Sequence, residues 1–292
     1  MDVRPATRND LPAIAELFGS VEEHILGRPS TLVAEAVEGW LHSIAFETNT
    51  WLFEEDGQLV AAGFAERHGD RAGAAGAVRP SAQGRGLGTR IVELTGQRMT
   101  EEGAPRIHAW ALAGDERAAE LFARHGYREV RRFWDMAIEL DGDVPDPGAV
   151  VEPVREEEMR GYHAAIEEAF EDHWEPHPEA FETWWVRQQS RATFDPSLWF
   201  VIRDGDELAA VIRNEARGDD GYVGVLGVRR QWRGRGYGKA LLRHSFREFR
   251  RRGLTRASLG VDASSPTGAT KLYESVGMYV EQENVVWEKV LT

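Results

Sequence analysis

Cysteine is absent from all 292 residues, which excludes a disulfide framework, thiolate metal ligands and any covalent acyl-cysteine intermediate. No apolar run approaches the length of a membrane-spanning helix, and no basic-then-apolar leader opens the chain. The expectation is therefore a soluble, cytoplasmic protein with no membrane partner. Basic residues are in the minority: 35 Lys and Arg against 49 Asp and Glu give a net charge of −14. Such a balance repels a nucleic-acid backbone unless positive charge is gathered in one patch.

What is present is ordinary globular composition, 42% hydrophobic and 29% charged, over a length that suits two cores of about 100 to 150 residues better than one. The chain also repeats itself. VRPATRNDLPAIAEL at residue 3 returns as VEPVREEEMRGYHAAI at 151, QGRGLG at 83 returns as RGRGYG at 233, and AAELFARHGY from Ala118 returns as ATKLYESVGM from Ala269. The offsets are 148, 150 and 151 residues. Three anchors that keep order and spacing indicate a tandem duplication. The predicted domains are 1–143 and 150–292, divided at DGDVPDPGAV (141–150), where Pro, Gly and Asp break any periodic pattern.

Each half reads as a mixed α/β unit. Leu11, Ile14, Ala15, Leu17 and Phe18 recur at helical spacing. WLFEEDGQLVAAGFAE at 51 and WFVIRDGDELAAVIRNEA at 199 read as hairpins turning at acidic Asp-Gly steps. GYVGVLGV is a strand that runs into the Gly phrase, and LLRHSFREFRRRG is a helix with Leu242, Phe246 and Phe249 on one face. Its Arg250 to Arg252 sit at the negative end of the helix dipole, so this cluster reads as a solvated helix end and not as a nucleic-acid patch. RASLGVD is a further strand, and SPTGATKLYESVG predicts a helix with a Ser cap, Pro in the first turn and Gly277 as the stop.

A Gly-rich loop between a strand and a helix turns several backbone N–H groups one way, adds the helix dipole, and lets a ligand come close to the backbone; it is suited to phosphate. The spacing [QR]-G-R-G-x-G fits neither the dinucleotide pattern GxGxxG nor the P-loop pattern GxxxxGK[ST]. LGVRRQWRGRGYGKALL and VDASSPTGATKLYESVG instead resemble, in order, the acetyl-CoA-binding motif and the following strand and helix of the GNAT N-acetyltransferases. The resemblance covers most of each half, and the tandem arrangement is similar to the mycothiol synthase type. It implies two GNAT-like domains, each a mixed, mostly antiparallel sheet flanked by helices, and an acetyl-CoA-dependent N-acetyltransferase acting on a small-molecule amine, as a monomer or homodimer, without a metal.

Residue by residue, the resemblance implies that Leu226 and Val228, with Gly227 between them, pair with the pantetheine arm of acetyl-CoA as if it were an added strand. Amides of Arg233, Gly234, Arg235, Gly236, Tyr237, Gly238 and Lys239 cradle the pyrophosphate, with Ser265 also on the cofactor side. Tyr273 takes the general-acid position, and a backbone N–H near Val228 stabilises the oxyanion. The first half keeps Val78, Gln83, Gly84, Arg85, Gly86, Leu87, Gly88 and Thr89 in the matching places. It has Phe122 where the second half has Tyr273, and a phenyl ring has no proton to give. The first domain is therefore expected to be catalytically degenerate. No carboxylate stands on GYVGVLGV, so the base is sought in FEDHWEPHPEAFETWW, where His173, Glu175 and His177 cluster beside Trp174, Trp184 and Trp185; His173 and Glu175 are the candidates. Surface charges and core tryptophans are the other reading of that stretch. A catalytically silent acyl-CoA sensor and a transferase for a longer acyl group are the alternatives in function. An antibiotic, amino sugar, polyamine, peptide or mycothiol-type amine is each consistent as acceptor.

Overall fold

The structure, a computed structural model, describes residues 2–28, 37, 44–176 and 178–291, so His177 lies outside the described residues. The chain divides into two compact units: Met1–Arg132 with Glu283–Thr292, and Phe133–Gln282. The compositional break at 141–150 falls within the second of these.

The first unit is built from β1 (Asp2–Arg4), α1 (Leu11–Leu26), β2 (Thr50–Glu55), β3 (Gln58–His68), β4 (Arg71–Val78), α2 (Leu87–Glu101), β5 (Arg106–Leu112) and α3 (Glu116–Arg124). Strands β1 to β4 pair antiparallel in sequence order, and β4 then pairs parallel with β5. Alternation along β3 puts helices on both faces: Ala62 packs with Ile14 and Leu17 of α1, and Ala61 with Leu87 and Ile91 of α2. The second unit takes its outer strand from β6 (Arg128–Glu139), and continues with β7 (Glu152–Pro153), α4 (Met159–Phe170), α5 (Phe181–Gln189), β8 (Trp199–Asp204), β9 (Glu207–Arg217), β10 (Asp220–Val228), α6 (Tyr237–Arg251), β11 (Arg256–Asp262) and α7 (Ala269–Glu274). β7 to β10 pair antiparallel in order, β10 pairs parallel with β11, and residues 133–139 of β6 pair antiparallel with β11. The last strand, β12 (Tyr279–Val290), returns residues 284–290 to the first unit against β5. Each unit thus completes its sheet with a strand from the far side of the sequence break.

α6 follows the predicted pattern, with Leu242, Phe246 and Phe249 buried. Burying each such side chain contributes roughly 1.5–3 kcal/mol. Arg251 and Arg252 at its end both bond to Glu248, and Arg252 also reaches Asp195 at 2.6 Å. α7 differs from its prediction. It begins at Ala269 after Gly268 at φ 72°, and neither Ser265 nor Pro266 starts it. Ser265 Oγ instead lies 3.0 Å from Thr267 Oγ1, and Gly268 N donates to Ser265 O at 3.3 Å, so the Ser-Pro-Thr-Gly stretch is consumed by a turn.

Candidate functional site

In the second unit β10 and β11 are paired only at Asp220–Tyr222 against Arg256–Ser258. Beyond Tyr222 they diverge, and the side of β10 that faced β11 opens onto a gap. Direction alternates along an antiparallel strand, and Arg229 N donates to Ala209 O at 3.1 Å. Arg229 and Gly227 therefore turn their backbone toward β9, and Leu226 and Val228 turn theirs into the gap. Gly227 serves packing, since a Cβ there would come within 2.8 Å of Ala169, and its absence lets α4 lie against the strand.

The loop at the mouth of the gap explains its own sequence. Gly234 and Gly236 have φ of 78° and 80°, a left-handed conformation that costs an L side chain roughly 1–2 kcal/mol. The third glycine is required by packing, since a Cβ on Gly238 would be 2.9 Å from Leu272 of α7. Gly236 is the N-cap of α6, no side chain caps that end, and Ala240 N, bonded to Gly236 O at 3.0 Å, is the first donor to close a helical turn. The N–H groups of Tyr237, Gly238 and Lys239 are thus outside the helix's own ladder. The arginines brace the loop. Arg233 donates to Val228 O at 3.2 Å and to Asp172 at 2.9 Å, and Arg235 reaches Asp204 at 3.3 Å. Arg233 and Arg235 therefore leave the loop's backbone as its anion-facing surface.

Tyr273, on α7, is 8% exposed, and burial pushes its hydroxyl above the usual 10.0, with the Tyr222 hydroxyl adding to the rise. It stays protonated at neutral pH. Ser265 lies in the turn after β11, its N–H on Asp262 O at 3.0 Å. His173 follows α4, with its ring half-buried and 4.1 Å from that of Phe170. Burial lowers its pKa, opposed by Asp262 and assisted by Arg233, which puts His173 in the electrostatic reach of both the β11 terminus and the glycine loop. Glu175, two residues on, is held at φ 52°. Of the tryptophans, Trp184 is a core residue at 5% exposure and Trp185 is half-buried.

One group sequence reasoning missed is Glu215 of β9. It is the cross-strand partner of Tyr222, so both side chains occupy the same face, next to where β10 and β11 part. The signal was available: Arg-Asn-Glu interrupts the apolar run of β9, where the first half reads Phe-Ala-Glu. All three are buried, Asn214 reaching Ser245 of α6 at 2.9 Å on one face and Arg213 reaching Gln188 of α5 on the other.

The first unit repeats the loop closely. Gly84 and Gly86 have φ of 77° and 83°, Gly86 is the N-cap of α2, Leu87 begins the helix with Thr89 in its first turn, and a Cβ on Gly88 would meet Leu121 at 3.0 Å. Gln83 Nε2 donates to Val78 O at 3.5 Å where Arg233 contacts Val228, and Arg85 pairs with Glu55 at 2.6 Å. β4 leaves β5 after Ala74, and Arg79 N on Val60 O at 2.8 Å turns Val78 toward that gap. Phe122 is buried between Tyr127 and Trp287, with ring centroids 5.3 and 5.9 Å away. A cavity of about 220 Å³ in this unit, bordered by Val92, Gln97, His125 and Lys289, includes none of the predicted site residues.

Two family models match the chain, an acetyltransferase (GNAT) domain over residues 47–129 and the acetyltransferase (GNAT) family over residues 165–278. Among curated proteins, the chain is 32% identical over 214 residues to the mycothiol acetyltransferase of Thermobispora bispora, covering 68% of this chain and 70% of that one. It is 29% identical to the mycothiol acetyltransferase of Geodermatophilus obscurus, covering 88% and 82%. Among solved structures, a GCN5-related N-acetyltransferase from Sphaerobacter thermophilus superposes with a TM-score of 0.87 at 31% identity, over 99% of this chain and 95% of that chain. A tandem GNAT protein from the clavulanic acid biosynthesis pathway shares the fold at TM-score 0.73 and 16% identity, over 100% and 98%. No helix among the described residues is long and apolar enough to cross a membrane.

Proposed function

The chain belongs to the GNAT family of N-acetyltransferases, and from that premise we propose that it moves an acetyl group from acetyl-CoA directly to the amine of a small molecule, with the chemistry in the second unit. The observation that carries the reading is the conjunction, in one unit, of a strand edge left open at Leu226 and Val228, a glycine-turned helix N-terminus, and a protonated buried phenol at Tyr273.

Leu226 and Val228 offer backbone donors and acceptors to an extended amide chain such as pantetheine, in the manner of an added strand. The N–H groups at the start of α6 offer charge and room to a pyrophosphate; a Cβ at Gly234 or Gly236 would have no neighbour within 4 Å, so the backbone there is open to close approach. The amine attacks the thioester carbonyl, a C–N bond forms and the C–S bond breaks. The oxyanion formed on the way is held by a backbone N–H of β10 facing the gap, near Val228. The amine's proton passes to His173, directly or through water; burial keeps this imidazole neutral at neutral pH. Tyr273 gives its proton to the departing thiolate.

The same site in the first unit has the cradle without the acid, because Phe122 stands where Tyr273 does. For the acceptor, the two relatives above are named mycothiol acetyltransferase, and an amine of that class is the first to try. The test is CoA release from acetyl-CoA across a panel of amines that includes the mycothiol acetyltransferases' acceptor. The cysteine-free chain adds no thiol of its own to the signal, and for a thiol-bearing acceptor of the mycothiol class the loss of thioester absorbance is followed in place of free thiol. Release in step with acetylated amine supports transfer; acetyl-CoA binding without release across the panel contradicts it.

A further inference from the structure

Buried charge in the second unit is concentrated on one face of β9, beneath an irregularity in β10. The pairing of β10 with β9 slips by one residue between Val223 and Val225, so Gly224 is an inserted, unpaired residue. A Cβ on Gly224 would lie 2.9 Å from Arg213 Nη2 and 3.3 Å from Glu215 Oε1, so these two side chains press directly against the bulged backbone. Both are buried, at 8% and 3% exposure. Arg213 donates to Gln188 of α5, and Glu215 accepts from Thr193 at 3.0 Å and from Arg217 at 3.0 Å, with Arg191 3.2 Å away. Burial alone would raise the Glu215 pKa, but Arg217, Arg191 and Arg213 together hold it below the usual 4.5. The carboxylate is thus held charged among Arg191, Arg213 and Arg217, as the partner of their guanidinium groups. This is not a ligand pocket, since the groups pack with no water-sized space between them.

The first unit provides the natural comparison. β4 runs along β3 without a slip, Phe64 stands at the position of Arg213, and Gly73 at that of Tyr222. Elsewhere the units agree, even to a matching slip between β2 and β3 and between β8 and β9. The buried charge and the β10 bulge therefore occur together and are absent together.

We propose that Arg213 and Glu215 are positioning residues that hold the Gly224 bulge, and so fix where β10 presents its backbone at the start of the gap, while tying that point to α5. The bulge lies between Tyr222, the last residue paired to β11, and Leu226, the first assigned to the cofactor. A one-residue slip there reverses which groups face the gap. Without the brace the reacting carbonyl and the amine are misaligned while the pyrophosphate cradle at α6 is untouched.

This inference rests on the transfer reaction proposed above, and the experiment separates the two. In the full chain, Glu215→Gln and Gly224→Ala are each expected to lower kcat by about tenfold or more, with KM for acetyl-CoA within about threefold of the parent, because small misplacements of reacting groups are costly. Amide hydrogen exchange at 223–225 should quicken in both, with α6 unchanged. Arg213→Met combined with Gly224→Ala should be no worse than the worse single variant, since both act through one element. Glu66→Gln, at the matching place in the first unit, should leave turnover unaltered. Unchanged kcat, additive losses, or faster exchange across the whole second unit would each overturn the brace, the last by reducing it to general stability. If the parent releases no CoA with any amine, the transferase reading falls, and exchange at 223–225 still decides the brace: no change there refutes it.

Discussion

In the first unit β4 is a run of alanine and glycine lying straight along β3, and Ile91 of α2 sinks against it where Gly63 and Gly76 have no Cβ; built Cβ atoms would be 2.7 and 2.8 Å from Ile91. In the second, the corresponding strand residues are Ile212 and Leu226, and β10 carries an extra glycine held up by a buried guanidinium and carboxylate. The glycine loops themselves are nearly superimposable in conformation, with φ within a few degrees. A duplicated loop keeps its shape because its own glycines dictate it, whereas the proposed difference in reactivity lies in what the neighbouring strand and α3 or α7 put beside it. Phe122 packs with Tyr127 and Trp287 as a core residue, while Tyr273, buried in the core of its own unit, carries a hydroxyl that burial keeps protonated.

That contrast can be broken at several points. The largest effect is expected from Tyr273→Phe, which should lower turnover by about 10²-fold or more with acetyl-CoA affinity preserved, as read by steady-state CoA release and calorimetry. An unchanged rate would move the acid elsewhere. Next is Gly236→Ala. Forcing a side chain to φ 80° costs roughly 1–2 kcal/mol, and if that strain distorts the cradle it raises KM for acetyl-CoA about tenfold. Gly86→Ala meets the same strain at φ 83° and should lower the melting temperature similarly while leaving KM alone; a matching rise in KM would show that the first unit's loop serves the reaction. The smallest effect is in the pH profile. With His173 as the proposed base, its neutral form is the one that accepts the amine's proton and its pKa lies below the usual 6.5, so kcat should be retained at neutral pH and fall only as pH drops through that lowered value. Tyr273, raised above 10.0, should impose no loss between about pH 7 and 9. His173→Gln should lower the plateau and remove the acid limb; an acid limb left in place would assign it to another group.

Much of this was legible in the sequence because it is local. The hairpins, the Gly phrase and the helices after it follow from turn residues and periodicity within a dozen positions, and the repeat shows through three spaced anchors. The exchange of β6 and β12 between the units was not legible, because an antiparallel strand carries no mark of which distant partner it joins. The start of α7 departs from the sequence pattern because Ser-Pro is a fair helix opening until Gly268 takes the left-handed conformation and ends the turn. Glu215 is not marked in the sequence as a neighbour of the gap, because the cross-strand register that brings it beside Tyr222 is set by pairing. The bulge itself is a single inserted residue, visible only once β4 and β10 are aligned on their partners.

The most direct measurement is an exchange of one hydroxyl between the units: CoA release by Tyr273→Phe, by Phe122→Tyr, and by the two combined, in the full chain with one acceptor amine. The predicted result is loss of turnover in Tyr273→Phe, parent-like turnover in Phe122→Tyr, and no recovery in the combination, because the first unit lacks the bulge and the buried Arg-Glu brace. Recovery of turnover in the combined variant would contradict the assignment of the chemistry to the second unit.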